Sequence, residues 1–282
     1  MPRVMFKHTL SALLFLIFGS LAAEGTTYWV RGVSPAGGWY DADKTLQGDE
    51  KMCWAATAAN MTAWWQDRHP EAAADGPQGV EEVWSTFRKA FDGSAGETYL
   101  ALQWWFNGKT PPQAMPQTEE GKNLGGWLKA RVEAKGTPFP GQDVLLEEPA
   151  TGISQRIKEL ICNGYAVGIG IRRLDKEQHI LPVWHMLSLW GIDYDEERQC
   201  ITRVYLTDSD DIAGEWPKYQ RGLFAADAAE ANLVNEKGAT FTGLILRNRV
   251  GWFKGNCTVT TLVGLHADTA VPASAQQAES HE

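Results

Sequence analysis

The spacing of apolar residues predicts helices in the first part of the chain. Apolar positions three and four residues apart, which form one face of a helix, recur up to residue 162. Several of these segments are followed by glycine, which readily takes the left-handed conformation that ends a helix. The predicted helices span 52–65, 80–91, 98–106, 119–134 and 153–162. The first is rich in alanine, which indicates close packing against its neighbours.

After residue 164 the pattern changes to runs of β-branched and aromatic residues, which are typical of strands. The polar segment 195–198 predicts a turn between two of these runs. The predicted strands span 165–171, 186–194, 202–206, 240–246 and 258–265, with a further short strand over 26–30. A helical part followed by a strand-rich part predicts the α+β class.

The N-terminal segment has the features of a secretory signal peptide. Arg3 and Lys7 precede an apolar run, and small residues up to about Ala22 match a cleavage site. The alternative is an uncleaved anchor, although the run is shorter than the roughly 20 apolar residues that span a bilayer. We expect a secreted or periplasmic protein, with no membrane association after removal of the signal. The mature domain is predicted over 23–265, and the polar segment 266–282 is predicted to be a disordered tail.

Charge and cysteine content narrow the classes of function. The chain has 26 Lys and Arg against 35 Asp and Glu, a formal net charge of −9, which argues against nucleic-acid binding. None of its four cysteines lies in a Cys-x-x-Cys pair, so neither a metal nor another cofactor is predicted. If Cys53 is a free catalytic thiol, at most one disulfide can form among Cys162, Cys200 and Cys257.

Three residues combine the chemistry of a nucleophile, a base and an orienting acid. Cys53 lies where a loop meets a predicted helix, a position that lowers the pKa of a thiol. His185 lies at the predicted start of a strand, and Asp208 follows a predicted strand. The interval of 132 residues from Cys53 to His185 falls within the ~130–150 typical of papain-type enzymes. Each residue alone also has a structural explanation: a small buried residue, a core histidine and a turn acceptor.

Two blocks of sequence resemble the IdeS/Mac family of immunoglobulin G-degrading cysteine endopeptidases. The first block comprises Gly38-Trp39-Tyr40-Asp41, Lys44-Thr45 and Cys53-x-Ala55-Ala56-Thr57-Ala58-x-Asn60-Met61-x-x-Trp64-Trp65. The second comprises His185, Leu189-Trp190-Gly191-x-Asp193-Tyr194-Asp195 and Tyr205-x-Thr207-Asp208-Ser209-Asp210. The resemblance implies a papain-like fold, in which a helical N-terminal half carries the nucleophile helix and packs it on an antiparallel sheet from the C-terminal half.

The resemblance also implies the roles of individual residues. Cys53 is then the nucleophile, His185 the general base and acid, and Asp208 the residue that orients the imidazole, with Asp210 in support. Lys44 matches the lysine that stabilises the oxyanion in the family. Gln47 competes with Lys44 for this role, because it lies six residues before Cys53, as the oxyanion glutamine does in papain-like enzymes generally. The backbone N–H of Cys53 is the other expected donor.

The expected function is therefore that of a secreted cysteine endopeptidase acting on a protein or peptide, with immunoglobulin G as the candidate that the resemblance implies. One alternative is a non-catalytic binding protein on the same scaffold. A second is a carbohydrate-active protein that uses the pairs Trp64-Trp65 and Trp104-Trp105 as stacking platforms. A third alternative is that residues 208–211 form a calcium-binding loop, although the regular spacing of acidic residues in such loops is missing.

Overall fold

The computed structural model describes residues 25–74, 76–108, 115–128, 145–149, 152–210, 222–247 and 255–268, with only the backbone course given for 145–149. The predicted signal peptide, residues 129–134 of a predicted helix and 269–282 of the predicted tail lie outside these ranges. His266 still belongs to a strand and Ala267 is buried, so the ordered domain continues slightly beyond its predicted end. Among the described residues, no helix is both long and apolar enough to cross a membrane.

Four helices lie close to their predicted positions, whereas the helix predicted over 119–134 ends at Leu124 and the short helix over Pro70–Ala73 was not predicted. The helices are α1 (Cys53–Gln66), α2 (Pro70–Ala73), α3 (Gly79–Ala90), α4 (Thr98–Asn107), α5 (Glu119–Leu124) and α6 (Ile153–Cys162). Gly108 ends α4 in the left-handed conformation, as expected for a glycine after a helix. Every residue of α1 is buried, which agrees with the close packing that its alanine content indicates.

The strands are longer and more numerous than predicted. They are β1 (Thr26–Trp29), β2 (Leu145–Pro149), β3 (Tyr165–Leu174), β4 (Ile180–Asp195), β5 (Cys200–Thr207), β6 (Phe224–Val234), β7 (Thr240–Leu246) and β8 (Cys257–His266). The prediction missed β2 and β6. The sequence of β6 is mostly Ala, Asp, Glu and Asn, which are depleted in strands, so its composition hides it.

Six of these strands close into an antiparallel β-barrel. The order around the barrel is β4, β3, β8, β7, β6 and β5, and β5 pairs with β4 to complete the ring. The short strand β1 adds to β4, and β2 adds to β8. Closure joins both edges of the sheet, and the shortest junction is between β7 and β8, which pair only at Ile245–Thr258 and Leu246–Cys257.

The expectation of a papain-like α+β fold is therefore wrong. That fold was expected to place a helical half on an open antiparallel sheet, whereas the structure is a closed six-stranded barrel with additional strands and few helices. The physical reason is β6, which pairs with β5 on one side and β7 on the other. Without β6 the predicted strands form an open sheet, and with it both edges of that sheet are joined.

Helix α1 packs on the outer surface of the barrel, against β3 and β4. A glycine on β3 allows this close approach, because a Cβ atom at Gly168 would lie only 3.0 Å from Thr57 Cγ2 and 3.3 Å from Met61 Sδ. This contact fixes the start of α1, and with it Cys53, beside the middle of β4.

The helices α1, α3 and α4 enclose a second, tryptophan-rich part of the core. Trp64, Trp65, Trp104 and Trp105 are fully buried, and the ring of Phe87 on α3 lies 5.2 Å from that of Trp105. These rings fill the space between helices and are not available to stack on a sugar. The two tryptophan pairs therefore do not form the platforms that a carbohydrate-active protein would need.

Candidate active site

Cys53 is the first residue of α1, as the sequence indicates. The side chain of the preceding residue, Met52, makes no capping hydrogen bond, so the first N–H groups of the helix have no side-chain cap. The thiol is buried except for 5% of the residue surface. A sulfur at this position faces the positive end of the helix dipole, which favours a negative charge.

His185 and Asp208 form a buried pair on neighbouring strands. His185 Nε2 lies 2.7 Å from Asp208 Oδ1, and the two side chains are 2% and 0% exposed. Because Asp208 follows the end of β5, which pairs with β4, the carboxylate reaches the histidine from the next strand. His185 lies inside β4 and not at a strand start as predicted, since β4 begins five residues earlier, at Ile180.

The imidazole also hydrogen-bonds with the thiol, so one side chain joins the nucleophile to the carboxylate. Nε2 faces Asp208, which leaves Nδ1 as the ring nitrogen for the sulfur. The structure thus brings Cys53, His185 and Asp208 together, although 132 residues separate the first two along the chain.

Electrostatics favour the ionised form of this pair. Burial opposes the thiolate, but the charge and hydrogen bond of His185, the charge of Lys44 and the backbone N–H of Met186 together lower the pKa of Cys53. Burial likewise opposes the imidazolium, yet the charges of Asp208 and Cys53 and their hydrogen bonds raise the pKa of His185 well above its usual value. Both shifts favour the thiolate and imidazolium forms of the pair over the neutral thiol and imidazole.

Lys44 is buried beside the site and is held by three contacts. Its Nζ lies 2.7 Å from Asp210 Oδ1 and 2.8 Å from the carbonyl oxygen of Glu50, and its backbone N–H donates to the carbonyl of Ser209 at 2.9 Å. An ammonium has three N–H donors, and among the described residues two of them are engaged, which leaves one for a further acceptor. Lys44 is thus a candidate oxyanion donor.

The other two candidates occupy different environments. Asp210 lies 3.6 Å from His185 Nε2 through Oδ2, so it contacts both the histidine and Lys44. Gln47 is exposed on the loop before α1. Lys44 and Gln47 were both predicted as oxyanion donors. Lys44 is buried and its charge lowers the pKa of Cys53, whereas Gln47 is exposed and uncharged.

Sequence analysis gave no role to Asn60, which connects three parts of the site. This side chain is 2% exposed; its Oδ1 accepts from the backbone N–H of Ala42 at 2.8 Å, and its Nδ2 donates to Ser188 Oγ at 3.0 Å. It therefore joins the helix of Cys53, the loop of Lys44 and the strand of His185. An amide within an alanine-rich, buried helix is the signal that could have identified it, since a buried polar group needs partners.

A metal-binding alternative uses the same residues. Ligand atoms of His185, Asp208 and Asp210 lie within 4.8 Å of one another. The ammonium of Lys44 lies 2.7 Å from Asp210, however, and a second cation there would meet this buried positive charge. The arrangement therefore favours an imidazole oriented by a carboxylate over the calcium loop considered for 208–211, of which residue 211 lies outside the described residues.

The remaining cysteines are not paired in the structure. All four are free, with Cys162 exposed and Cys257 buried. Burial, and secondarily the charge of Asp208, raises the pKa of Cys257 to about 12, so this thiol is expected to be inert. Cys53 is thus chemically distinct from the other buried cysteine.

No protein-family model matches the chain, and no curated protein matches it. The assignment of function depends on the chemistry of the site and on the two resembling blocks.

Proposed function

We propose that this protein is a cysteine peptidase that hydrolyses peptide bonds through Cys53, His185 and Asp208. The observation that supports the proposal most strongly is the buried imidazole that bonds with both the sulfur and the carboxylate. A nucleophile, a base and a group that orients the base are the minimum set for acyl transfer by a thiol. A protein that only binds a partner has no need of this set.

In the proposed reaction the Cys53 thiolate attacks the carbonyl carbon of the peptide bond. The backbone N–H of Cys53 and the free N–H of Lys44 hold the oxyanion that develops. The His185 imidazolium then protonates the leaving amine, and a thioester remains on the sulfur. His185 next removes a proton from water, which attacks the thioester, releases the carboxylic acid and restores the thiolate.

Asp208 keeps the imidazole in the orientation that this sequence requires. Its carboxylate accepts from Nε2, so Nδ1 carries the proton that passes between sulfur, amine and water. Asp210 holds Lys44 in place through their ion pair. Gln47 has no part in the proposed reaction.

The test compares the reduced wild-type protein with Cys53→Ala on a peptide mixture and on immunoglobulin G, with products identified by mass spectrometry. We expect cleavage only by the wild type, whereas the matched variant Cys162→Ala retains activity within a few-fold. Equal cleavage by Cys53→Ala would end the proposal.

Immunoglobulin G belongs in this experiment because two blocks of this chain resemble motifs of enzymes that cleave it. A cut in its hinge would support that narrow activity. Cuts only in unfolded peptides would support a peptidase of broader specificity and would leave the catalytic proposal intact.

A further inference from the structure

Two cavities lie side by side on the outer face of the barrel, next to the proposed nucleophile. The near cavity has a volume of about 370 Å³ and the far cavity about 390 Å³. Arg172, Trp184 and Thr261 line both, so the two form one continuous groove.

The near end of this groove is connected to the reactive sulfur through Met186. Met186 lines the near cavity through its side chain, and its backbone N–H bonds with Cys53. Trp184 lies two residues before Met186 on β4 and therefore on the same face of the strand. The groove thus leads from the sulfur along β4.

Helix α1 covers only part of this barrel face. A Cβ atom at Gly168 would contact Thr57 and Met61 of the helix, whereas one at Gly170 would contact Thr261, Trp184 and Met186, which all belong to strands. Helix α1 begins at Cys53 and does not cover the barrel around Gly170, so the sheet itself forms the floor of the groove there. Because Gly170 has no side chain, it leaves space at the floor of the groove beside the side chains of Trp184 and Met186.

The charge at the far end of the groove is positive. The far cavity is lined by Arg172 on β3 and by Glu236 and Lys237 in the turn between β6 and β7, two cationic groups against one anionic group. Arg172 pairs with Glu236, and its side chain remains 35% exposed. This excess of positive charge is confined to the far cavity, because Glu97 lines the near one.

We infer that this groove binds an extended segment of the substrate, and that Arg172 and Lys237 select an acidic side chain in the far cavity. The inference rests on the proposed peptidase function and adds a substrate class to it: polypeptides with Asp or Glu close to the cleaved bond. Trp184 and Met186 provide the apolar floor along which the intervening residues lie.

The geometry sets the distance of this acidic residue from the bond. Gly170, Arg172 and Leu174 of β3 pair with Met186, Trp184 and Ile180, so at about 3.4 Å per residue Trp184 lies roughly 7 Å and Ile180 roughly 14 Å from Met186. The far cavity lies between these two residues, since both line it. The acidic side chain is therefore expected about two to four residues from the scissile bond, on one side only.

The experiment measures kcat/KM for a peptide series in which a single Glu or Gln is moved through each position on both sides of the cut. Wild type is expected to prefer Glu about 5-fold at one position within that range, and the preference should weaken at 1 M salt. The double variant Arg172→Gln/Lys237→Gln should lose the preference. Arg173→Gln is the matched control, because Arg173 is exposed on β3 and its side chain points to the opposite face from Arg172.

The outcomes separate this inference from the proposed function. If cleavage depends on Cys53 but the double variant keeps the wild-type preference, the inference fails and the peptidase proposal stands. If Cys53→Ala cleaves as well as wild type, the peptidase proposal fails. If no peptide is cleaved, binding of the same peptides to Cys53→Ala decides: tighter binding of Glu peptides, lost in the double variant, supports the inference, and equal binding of Glu and Gln peptides overturns it.

Discussion

Replacing Asp208 with asparagine removes one buried charge and places an amide group where Oδ2 has no hydrogen-bond partner among the described residues. Asp208 Oδ1 accepts from His185 Nε2 at 2.7 Å and from the backbone N–H of Asp210 at 3.0 Å, and an asparagine oxygen can accept both hydrogen bonds. The substitution therefore isolates the effect of the negative charge on the imidazole. Without this charge the pKa of His185 falls, and the thiolate that the imidazolium stabilises becomes less favourable.

The size of the effect follows from the distance. With a contact of 2.7 Å the centres of the two charges lie about 4 Å apart, where a unit pair is worth about 4 kcal/mol at an effective dielectric constant of 20. The retained hydrogen bonds reduce the loss, and even half of it changes a protonation equilibrium more than 10-fold. The largest possible decrease in alkylation rate is reached when Cys53 behaves as an ordinary thiol, of which only about 0.3% is ionised at pH 6. We expect Asp208→Asn to slow alkylation of Cys53 at pH 6 by about 10- to 100-fold.

The assay is the rate of iodoacetamide alkylation as a function of pH, with each modified cysteine identified by mass spectrometry. It requires no substrate. The exposed Cys162 provides an internal reference whose rate should not change, and the buried Cys257 should remain unmodified. An unchanged rate at Cys53 in Asp208→Asn would refute the electrostatic coupling on which the site depends.

The same substitution has a predictable effect on stability. Because the folded pKa of His185 is raised above its unfolded value, the protonated histidine stabilises the fold fully below pH about 6.5, and this contribution is lost as the pH rises through the folded pKa. Urea unfolding should therefore show the largest difference between wild type and Asp208→Asn in mildly acidic solution. If the difference in the free energy of unfolding instead grows towards alkaline pH, the pKa of His185 is not raised in the folded protein.

Four further substitutions test other parts of the site and the fold. Lys44→Met should lower kcat about 10²–10³-fold, as loss of an oxyanion donor does, whereas Gln47→Ala should stay within 2-fold; the reverse result would transfer the role to Gln47. Asn60→Ala leaves two buried partners without their hydrogen bonds and should lower the free energy of unfolding by about 1–3 kcal/mol, measured in urea, while an unchanged value would remove its structural role. Gly168→Val should cost about 1–3 kcal/mol because its side chain meets α1, and an unaltered melting temperature would show that the helix can shift freely.

The candidate site could be predicted largely from local sequence. A cysteine that opens an alanine-rich helix, and an aspartate that follows a strand, are recognisable from the elements around them. The spacing between Cys53 and His185, together with the resembling blocks, then indicated that they meet. These features do not require knowledge of how the strands are joined.

The barrel could not be predicted, because its closure depends on the strand with the weakest signal. β6 carries alanine and charged residues where strands usually carry valine or isoleucine, since half of its positions face solvent or lie at the barrel surface. Pairing with β5 and β7 supplies the stability that its composition does not. A strand of this kind becomes visible only once its neighbours are placed.

Backbone contacts at the site were equally inaccessible to sequence patterns. The N–H of Met186 that bonds with the sulfur, and the carbonyls of Glu50 and Ser209 that hold Lys44, could belong to any residue type. Their positions follow from tertiary packing alone. Asn60 differs, because a buried amide among alanines is a visible anomaly even though its partners are not.

The most direct test of the central claim is the ultraviolet absorbance of the thiolate near 240 nm, measured for wild type minus Cys53→Ala across the pH range. The account predicts a thiolate that is already present at pH 6, because the pKa of Cys53 is lowered by its imidazolium partner. A difference signal that rises only around pH 8.5, as for an isolated thiol, would contradict it.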